Sequence, residues 1–267
     1  MSGIVEVDRV EKRYPIGPGS EHLAVKDVTF SVERGRVVCI VGKTGCGKST
    51  LVNMLLGLVA PTRGKILIDG VNPSESFMGL RSKISAVFQT DRLLPWRTIV
   101  DNAALGLEVA GFDKKDRIDR AMVWLRKVGL QRWADAYPHQ LSGGMRQRAA
   151  IARAFVLDTP VLLLDEAFGH LDEVTAHDLR SDCLGLVTET GKAVILVTHS
   201  INEALDSADS IIVLGRPASV IATFQPAELR ELPDWQRRRD ELRNEIFRLI
   251  ETRSSELAIT GPNSEAA

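Results

Sequence analysis

Nine consecutive residues, Gly42-Lys43-Thr44-Gly45-Cys46-Gly47-Lys48-Ser49-Thr50, bring glycines, lysines and hydroxyl groups into one short span. Glycines let backbone N–H groups close around phosphate oxygens, and a helix beginning near Lys48 would point its positive end at them. The pattern Gly-x-x-x-x-Gly-Lys-Ser suits ATP and Mg²⁺: Lys48 reaches the β and γ phosphates, and the Ser49 hydroxyl joins the metal shell. A purely structural glycine turn is the alternative. The strand expected before the loop and the helix expected after it count against that reading.

A second group is Val161-Leu162-Leu163-Leu164-Asp165-Glu166. Four apolar residues bury a strand, and two carboxylates at its end put charge where a crevice opens at the carboxyl edge of a sheet. Asp165 suits the Mg²⁺ shell, commonly through water, and Glu166 suits a base that polarises an attacking water. An acidic pair after an apolar strand is common, and it reads as catalytic only alongside the phosphate loop. His199 closes the run Val194-Ile195-Leu196-Val197-Thr198. A lone histidine there is often a structural donor. Beside the expected γ-phosphate it reads as a phosphate contact.

These residues need an α/β frame. Short apolar runs at residues 4–10 and 23–32, interrupted by Pro15, Gly17, Pro18 and Gly19, predict strands with one covered and one more polar face. Residues 37–41 form a continuous apolar strand directly before the loop, and Leu51, Met54, Leu55 and Leu58 repeat at helical spacing after it. Strands are expected at residues 65–68 and 84–88. The pattern then turns helical at 99–109, 115–128 and 143–156, a lobe of about residues 95–158 inserted between strands. The sheet resumes at 161–164, 193–197, 211–214 and 220–224, with a crossover helix at 174–189. The fold class is therefore α/β: a P-loop nucleoside triphosphatase sheet core with an antiparallel β subdomain and an inserted helical lobe, spanning residues 3–225.

After Pro226 charge rises, yet Leu242, Ile246, Leu249 and Ile250 share one helical face. An isolated helix of this length is marginal in water, so that face is expected to dock. The chain's own domain, a dimer contact and a regulatory surface are the candidate partners. Residues 226–255 read as a helical extension and 256–267 as a flexible tail.

The chain of 267 residues carries 34 basic and 35 acidic residues, a net charge of −1. That balance offers no case for nucleic acid as a direct partner. The three cysteines, Cys39, Cys46 and Cys183, lack metal-ligand spacing, and their odd count fits a reducing compartment rather than a disulfide framework. No basic-then-apolar leader and no apolar run near the roughly 20 residues of a membrane helix is evident. A cytoplasmic location is expected, with a membrane-embedded partner left open.

With these pieces in place the chain resembles the ATP-binding-cassette ATPases. Leu141-Ser142-Gly143-Gly144-Met145-Arg146-Gln147-Arg148 looks like the family signature. Without the family, Ser142 is a good N-cap and the Gly143 and Gly144 amides lie open to an anion, as at an ordinary helix start. The resemblance implies a head-to-tail homodimer or pseudo-dimer in which each ATP lies between one chain's phosphate loop and the other's Ser142-Gly143-Gly144. It implies that Gln89 contacts Mg²⁺ and the attacking water, that Asp172 communicates across the dimer, and that His199 meets the γ-phosphate. Tyr14 matches the aromatic that stacks on adenine, although a core residue flanking a turn would look the same.

Two residues depart from the pattern: His170 stands where alanine is commoner, and Ala167 where importers usually have proline. The segment Gln89-Thr90-Asp91-Arg92-Leu93-Leu94-Pro95-Trp96 resembles the nitrate, sulfonate and taurine importers. An exposed stretch with Leu93, Leu94 and Trp96 would suit a groove for a membrane subunit's coupling helix, the alternative being packing inside the helical lobe. The resemblance implies an ATPase subunit on the inner face of the membrane, bound to permease subunits and supplied by an extracytoplasmic solute-binding protein. An exporter or lipid-transport ATPase, and a soluble cassette in nucleic-acid repair or translation, are the alternatives. A non-hydrolysing structural partner is disfavoured by Lys48 and Glu166.

Overall fold

Val5, Val7 and Val10 are buried on one face of β1 (Val5–Gly17), with Asp8 exposed between them. Strict alternation would send Val10 outward. The pairing register shifts between Val7 and Val10, and Arg9 takes φ 45°, so the extra residue returns Val10 to the core. β2 (Ser20–Val32) runs back antiparallel, with Gly17 opposite Ser20. The Pro18-Gly19 segment expected to interrupt the strands is thus the tip of one long hairpin, and Gly19 at φ 72° makes its turn. The computed structural model describes residues 3–259, with side chains described through residue 252.

β3 (Val37–Gly42) is buried at every position, and α1 (Lys48–Leu55) follows the glycine loop. The helix is shorter than the apolar spacing predicted. Gly57 at φ 70° turns the chain away, so Leu58 is 61% exposed rather than part of the buried stripe of Leu51, Met54 and Leu55. β4 (Arg63–Ile68) completes a three-stranded sheet in the order β2-β1-β4, and the one-turn α2 (Phe77–Leu80) follows.

The described residues divide into two compact units, one formed up to Leu80 and again from Ile195, the other formed by Arg81–Val194. In the second unit β5 (Ile84–Phe88) leads to α3 (Ile99–Val109), α4 (Lys114–Lys127) and α5 (Gly143–Phe155). Ile99, Ala103, Ala104, Leu125, Ile151 and Phe155 are buried among these helices. Thr98 caps α3 by accepting from the Asp101 amide, and Asp113 caps α4 by accepting from Lys115 and Asp116. β6 (Val161–Asp165) pairs parallel with β5, from Ile84 opposite Val161 to Phe88 opposite Asp165. α6 (Glu173–Thr190) ends at Gly191, and β7 (Ala193–Thr198) begins in this unit and finishes in the other.

The first unit then adds α7 (Ile201–Ser207), β8 (Ser210–Leu214), β9 (Val220–Phe224), α8 (Ala227–Arg230) and α9 (Trp235–Ile259). Its sheet order is β7-β3-β8-β9, with β8 parallel to β3 and antiparallel to β9. The expected α/β architecture is present: a sheet core fed by a glycine loop, an antiparallel subdomain and a helical lobe between β5 and β6. α9 extends past residue 255, the expected end of the helical extension, to Ile259. The remainder of the expected tail, residues 260–267, lies outside the described residues. Ile246 is fully buried, and α9 packs on α7 and β8, so of the candidate docking partners the chain's own unit takes this helix.

Candidate functional site

The first unit carries the phosphate loop. β3 ends at Gly42, opposite Leu214 of β8, and the chain leaves the sheet there. A Cβ on Gly42 would lie 2.9 Å from Cys46 Sγ and 3.0 Å from the Leu214 carbonyl oxygen. A Cβ on Gly47 would lie 2.4 Å from the Ala24 carbonyl oxygen, and Gly47 also takes φ 120°. Gly47 therefore excludes any side chain, and Gly42 admits one only if Cys46 and Leu214 shift. Gly45, at φ 77°, faces open space, and Lys43, Thr44 and Ser49 are exposed.

Gly47 is the N-cap of α1 and has no side chain to bond the helix's first amides, and no acidic residue stands in that first turn. Those amides and the positive helix end suit an anion. Lys48 is 6% exposed and donates to the Gly42 carbonyl at 2.6 Å and the Lys43 carbonyl at 3.2 Å. Its ammonium is thereby held within the loop. Cys46 is buried, and burial pushes its thiol above the ordinary range against the pull of Lys48. A cradle of this construction fits a polyphosphate.

His199 follows the last residue of β7 and is exposed. Thr198 Oγ1 donates to Glu203 and accepts from the Ser200 amide, while Ser200 caps α7 by accepting from the Glu203 amide. The residues on both sides of the histidine are thus tied to α7. Tyr14 lies on β1 opposite His22, half-buried, with Lys12 Nζ 5.1 Å from the centre of its ring.

The second unit carries the acidic pair and the signature segment. Phe88 is in register with Asp165, so Gln89 leaves β5 at the level where Glu166 leaves β6. Glu166 takes φ 48°, a left-handed conformation that a non-glycine residue adopts at a cost, and such strain clusters at functional positions. A Cβ on Gly169 would lie 3.5 Å from the Glu166 carbonyl oxygen and 3.8 Å from Gln89 Nε2, which places both near the same turn.

Ser142 caps α5 by accepting from the Met145 amide at 3.3 Å. A Cβ on Gly144 would stand 2.9 Å from Thr175 Cγ2, so this glycine lets the signature segment approach the first turn of α6. Asp172 caps that helix, accepting from the Thr175 amide at 3.0 Å, and these hydrogen bonds hold its carboxyl below the ordinary range. Ala167 is buried and His170 is exposed.

Gln147, quoted above only as part of the signature, has a structural role that spacing does not reveal. Its buried amide donates to the carbonyls of Phe88 at 2.9 Å and Ala167 at 2.6 Å, tying α5 to the ends of both β5 and β6. Arg146 binds the Asp91 carboxylate at 3.0 Å, and Arg153 donates to the Asp91 and Arg92 carbonyls. α5 thereby holds the segment after Gln89. Asn102, fully buried, closes its far side by accepting from the Leu94 amide and donating to the carbonyls of Leu94, Arg97 and Thr98. A lone asparagine inside an otherwise apolar helix face was the available signal.

This bracing corrects one expectation. Leu93 is 8% exposed and belongs to the core, Leu94 is half-buried, and Trp96 alone of the three is exposed, at 72%. Cys39, Cys46 and Cys183 are all buried, free thiols. No helix among the described residues is long and apolar enough to cross a membrane.

The family model described as ABC transporter matches residues 25–169. The taurine import ATP-binding protein TauB of Rhizobium johnstonii is 40% identical over 225 residues, covering 83% of this chain and 83% of TauB. The glycine betaine/proline betaine transport system ATP-binding protein ProV of Escherichia coli is 38% identical over 216 residues, covering 79% of this chain but 54% of ProV. The chain thus spans about half the length of that relative. Among solved structures, the dimeric ATP-binding cassette MJ0796, in a post-hydrolysis state bound to ADP and Pi, superposes with a TM-score of 0.74 at 33% identity. The match covers 83% of this chain and 98% of that one.

Proposed function

This chain belongs to the ABC transporter family as an ATP-binding cassette, and from that premise we propose that it hydrolyses ATP to drive a membrane importer of small polar solutes. The observation that carries the reading is the phosphate loop: Gly47 at φ 120°, with no room for a side chain, opens α1 with uncapped amides beside a buried Lys48.

In this reading the loop Gly42–Thr50 binds the phosphates and Lys48 neutralises charge that grows on the β and γ oxygens. Glu166 polarises the attacking water and accepts its proton as the water oxygen bonds to the γ-phosphorus and the bond to the ADP oxygen breaks. His199 contacts the γ-phosphate, Gln89 orients the water, and Tyr14 stacks on adenine. Mg²⁺, held by Ser49, Gln89 and Asp165 together with the phosphates, would supply charge neutralisation. Among the described residues no three His, Cys, Asp or Glu side chains gather as a metal cage, and a Mg²⁺ carried largely by phosphates and water does not need one.

ATP closes a head-to-tail pair of these chains, with Ser142, Gly143 and Gly144 of the second copy completing each site and Asp172 communicating across it. That the MJ0796 cassette is dimeric supports the pairing itself. The chain works at the inner face of the cell membrane on permease subunits that receive solute from an extracytoplasmic binding protein. The likeness to TauB favours a sulfonate such as taurine, and the likeness to a nitrate import ATP-binding protein keeps a small oxyanion such as nitrate as the other candidate.

Purification from native membranes, with partner identification and ATP turnover measured on the same material, tests the reading. A multi-span membrane protein and ATP turnover are expected. Material that fails to turn over ATP, or that carries no membrane partner, overturns it.

A further inference from the structure

The helices after Pro226 take no part in the chemistry above, yet they grip the element that follows His199. The turn bearing the histidine is joined to the first residues of α7 through Thr198, Ser200 and Glu203. The other end of α7 is held from the C-terminal segment. Arg230 Nη2 donates to the carbonyls of Leu205 and Ala208, both at 2.7 Å, so it satisfies carbonyls that a helix end leaves open. Arg239 of α9 donates to Asp206 Oδ1 from Nε at 3.0 Å and from Nη2 at 2.8 Å.

Further along α9, Ile246 is fully buried. On neighbouring positions of the same helix, Arg243, Asn244 and Phe247 line a cavity of about 420 Å³ together with His199, Ile201 and Asn202. α7 has only seven residues, so a shift at Asp206 is carried by a rigid two-turn rod to its N-cap Ser200 and the turn that bears His199 just before it.

We infer that α9 is a positioning element for His199, acting through the Arg239–Asp206 pair on α7. The inference rests on the reading of His199 as the γ-phosphate contact. An exposed ion pair adds little to stability. Its effect here is on geometry, because a misplacement of about 1 Å at a reacting centre is enough to lower turnover up to a hundredfold.

The test compares the full-length protein with Arg239→Ala, Asp206→Ala, the exchanged pair Asp206→Arg with Arg239→Asp, His199→Ala, and His199→Ala combined with Arg239→Ala. Measured are kcat, KM for ATP, ATP affinity and thermal midpoint. Either single loss of the pair is expected to lower kcat about tenfold with KM and ATP affinity little changed. The exchanged pair is expected to recover most of that loss, and Arg239→Ala is expected to add nothing to the residual turnover of His199→Ala.

Unchanged kcat in the single variants overturns the inference, as does a loss that follows the thermal midpoint or ATP affinity, or one that is fully additive with His199→Ala. Wild-type turnover with a normal His199→Ala variant removes the histidine's role and the inference with it. Absence of wild-type turnover instead defeats the reading of the chain as an ATPase.

Discussion

Glu166 stands at φ 48° directly after β6, whose residues Val161–Leu164 are buried, so its carboxylate is presented by backbone held in a disfavoured conformation at the strand's end. Replacing it with glutamine keeps the shape and removes the proposed base. Glu166→Gln is expected to lower ATP turnover by about a hundredfold or more while ATP still binds, so that an ATP-bound dimer accumulates. Turnover assays with size-exclusion chromatography in ATP check this, and near-normal turnover would remove the role given to Glu166.

The phosphate loop offers a paired comparison. At Gly47 an added Cβ meets the Ala24 carbonyl oxygen at 2.4 Å, whereas at Gly45 it meets nothing within 4 Å. Gly45→Ala carries only the left-handed backbone cost, about 1 to 2 kcal/mol. Gly47→Ala adds a collision with main chain and is expected to abolish binding of a fluorescent ATP analogue under conditions where Gly45→Ala still binds it.

At the scale of elements, the loop between β5 and α3 is held by polar groups rather than by apolar packing. Asn102 makes four hydrogen bonds to it from a fully buried position. Asn102→Ala takes the partner from the Leu94 amide and the Arg97 carbonyl, at about 1 to 3 kcal/mol for each one water cannot reach, whereas the Leu94 and Thr98 carbonyls keep the Arg97 and Asn102 amides. Chemical denaturation should show that loss.

Arg97 adds a two-pronged contact to Glu108, at 2.6 and 3.2 Å. This hydrogen bond holds the Glu108 carboxyl below the ordinary range. A carboxyl whose folded pKa is lowered stabilises the fold above its unfolded pKa and loses that contribution as pH falls through the folded value. Arg97→Ala is therefore expected to weaken the protein near neutral pH and to leave it less sensitive to acidification, read as thermal midpoint against pH. At the other end of the chain, Ile246→Ala would open a cavity beneath α9, at about 2 to 5 kcal/mol.

At the scale of the whole molecule, Trp96 presents a large aromatic surface to solvent from a loop that Asn102, Arg146 and Arg153 brace from behind. A rigid exposed aromatic is the kind of group on which binding energy concentrates. Trp96→Ala is expected to reduce association with the proposed membrane subunits at unchanged ATP turnover of the isolated chain. Retained assembly and transport would dismiss the docking role.

Much of this was legible along the chain because the chemistry requires contiguous residues. The phosphate loop, the acidic pair after Leu164 and the signature from Leu141 to Arg148 each place their groups within a few positions, and strand and helix periods supplied the frame around them. What could not be read depended on residues distant in sequence. Gln147 bridges Phe88 and Ala167 because β5 and β6 pair in register, and Leu93 is buried in a segment that Arg146 and Arg153 of α5 hold at Asp91 and Arg92. The helical spacing that predicted Leu58 in the core gave way to Gly57, whose left-handed turn ends α1.

By itself, then, the sequence determined the glycine loop, the acidic pair and the family to which the chain belongs, since local spacing is enough to define them. Tertiary structure alone decided that Glu166 sits in a strained backbone, that Trp96 rather than Leu93 faces solvent, and that α9 closes on α7 behind His199. Those outcomes follow from packing and hydrogen bonding between segments as far apart as Asp206 and Arg239, which no local pattern encodes.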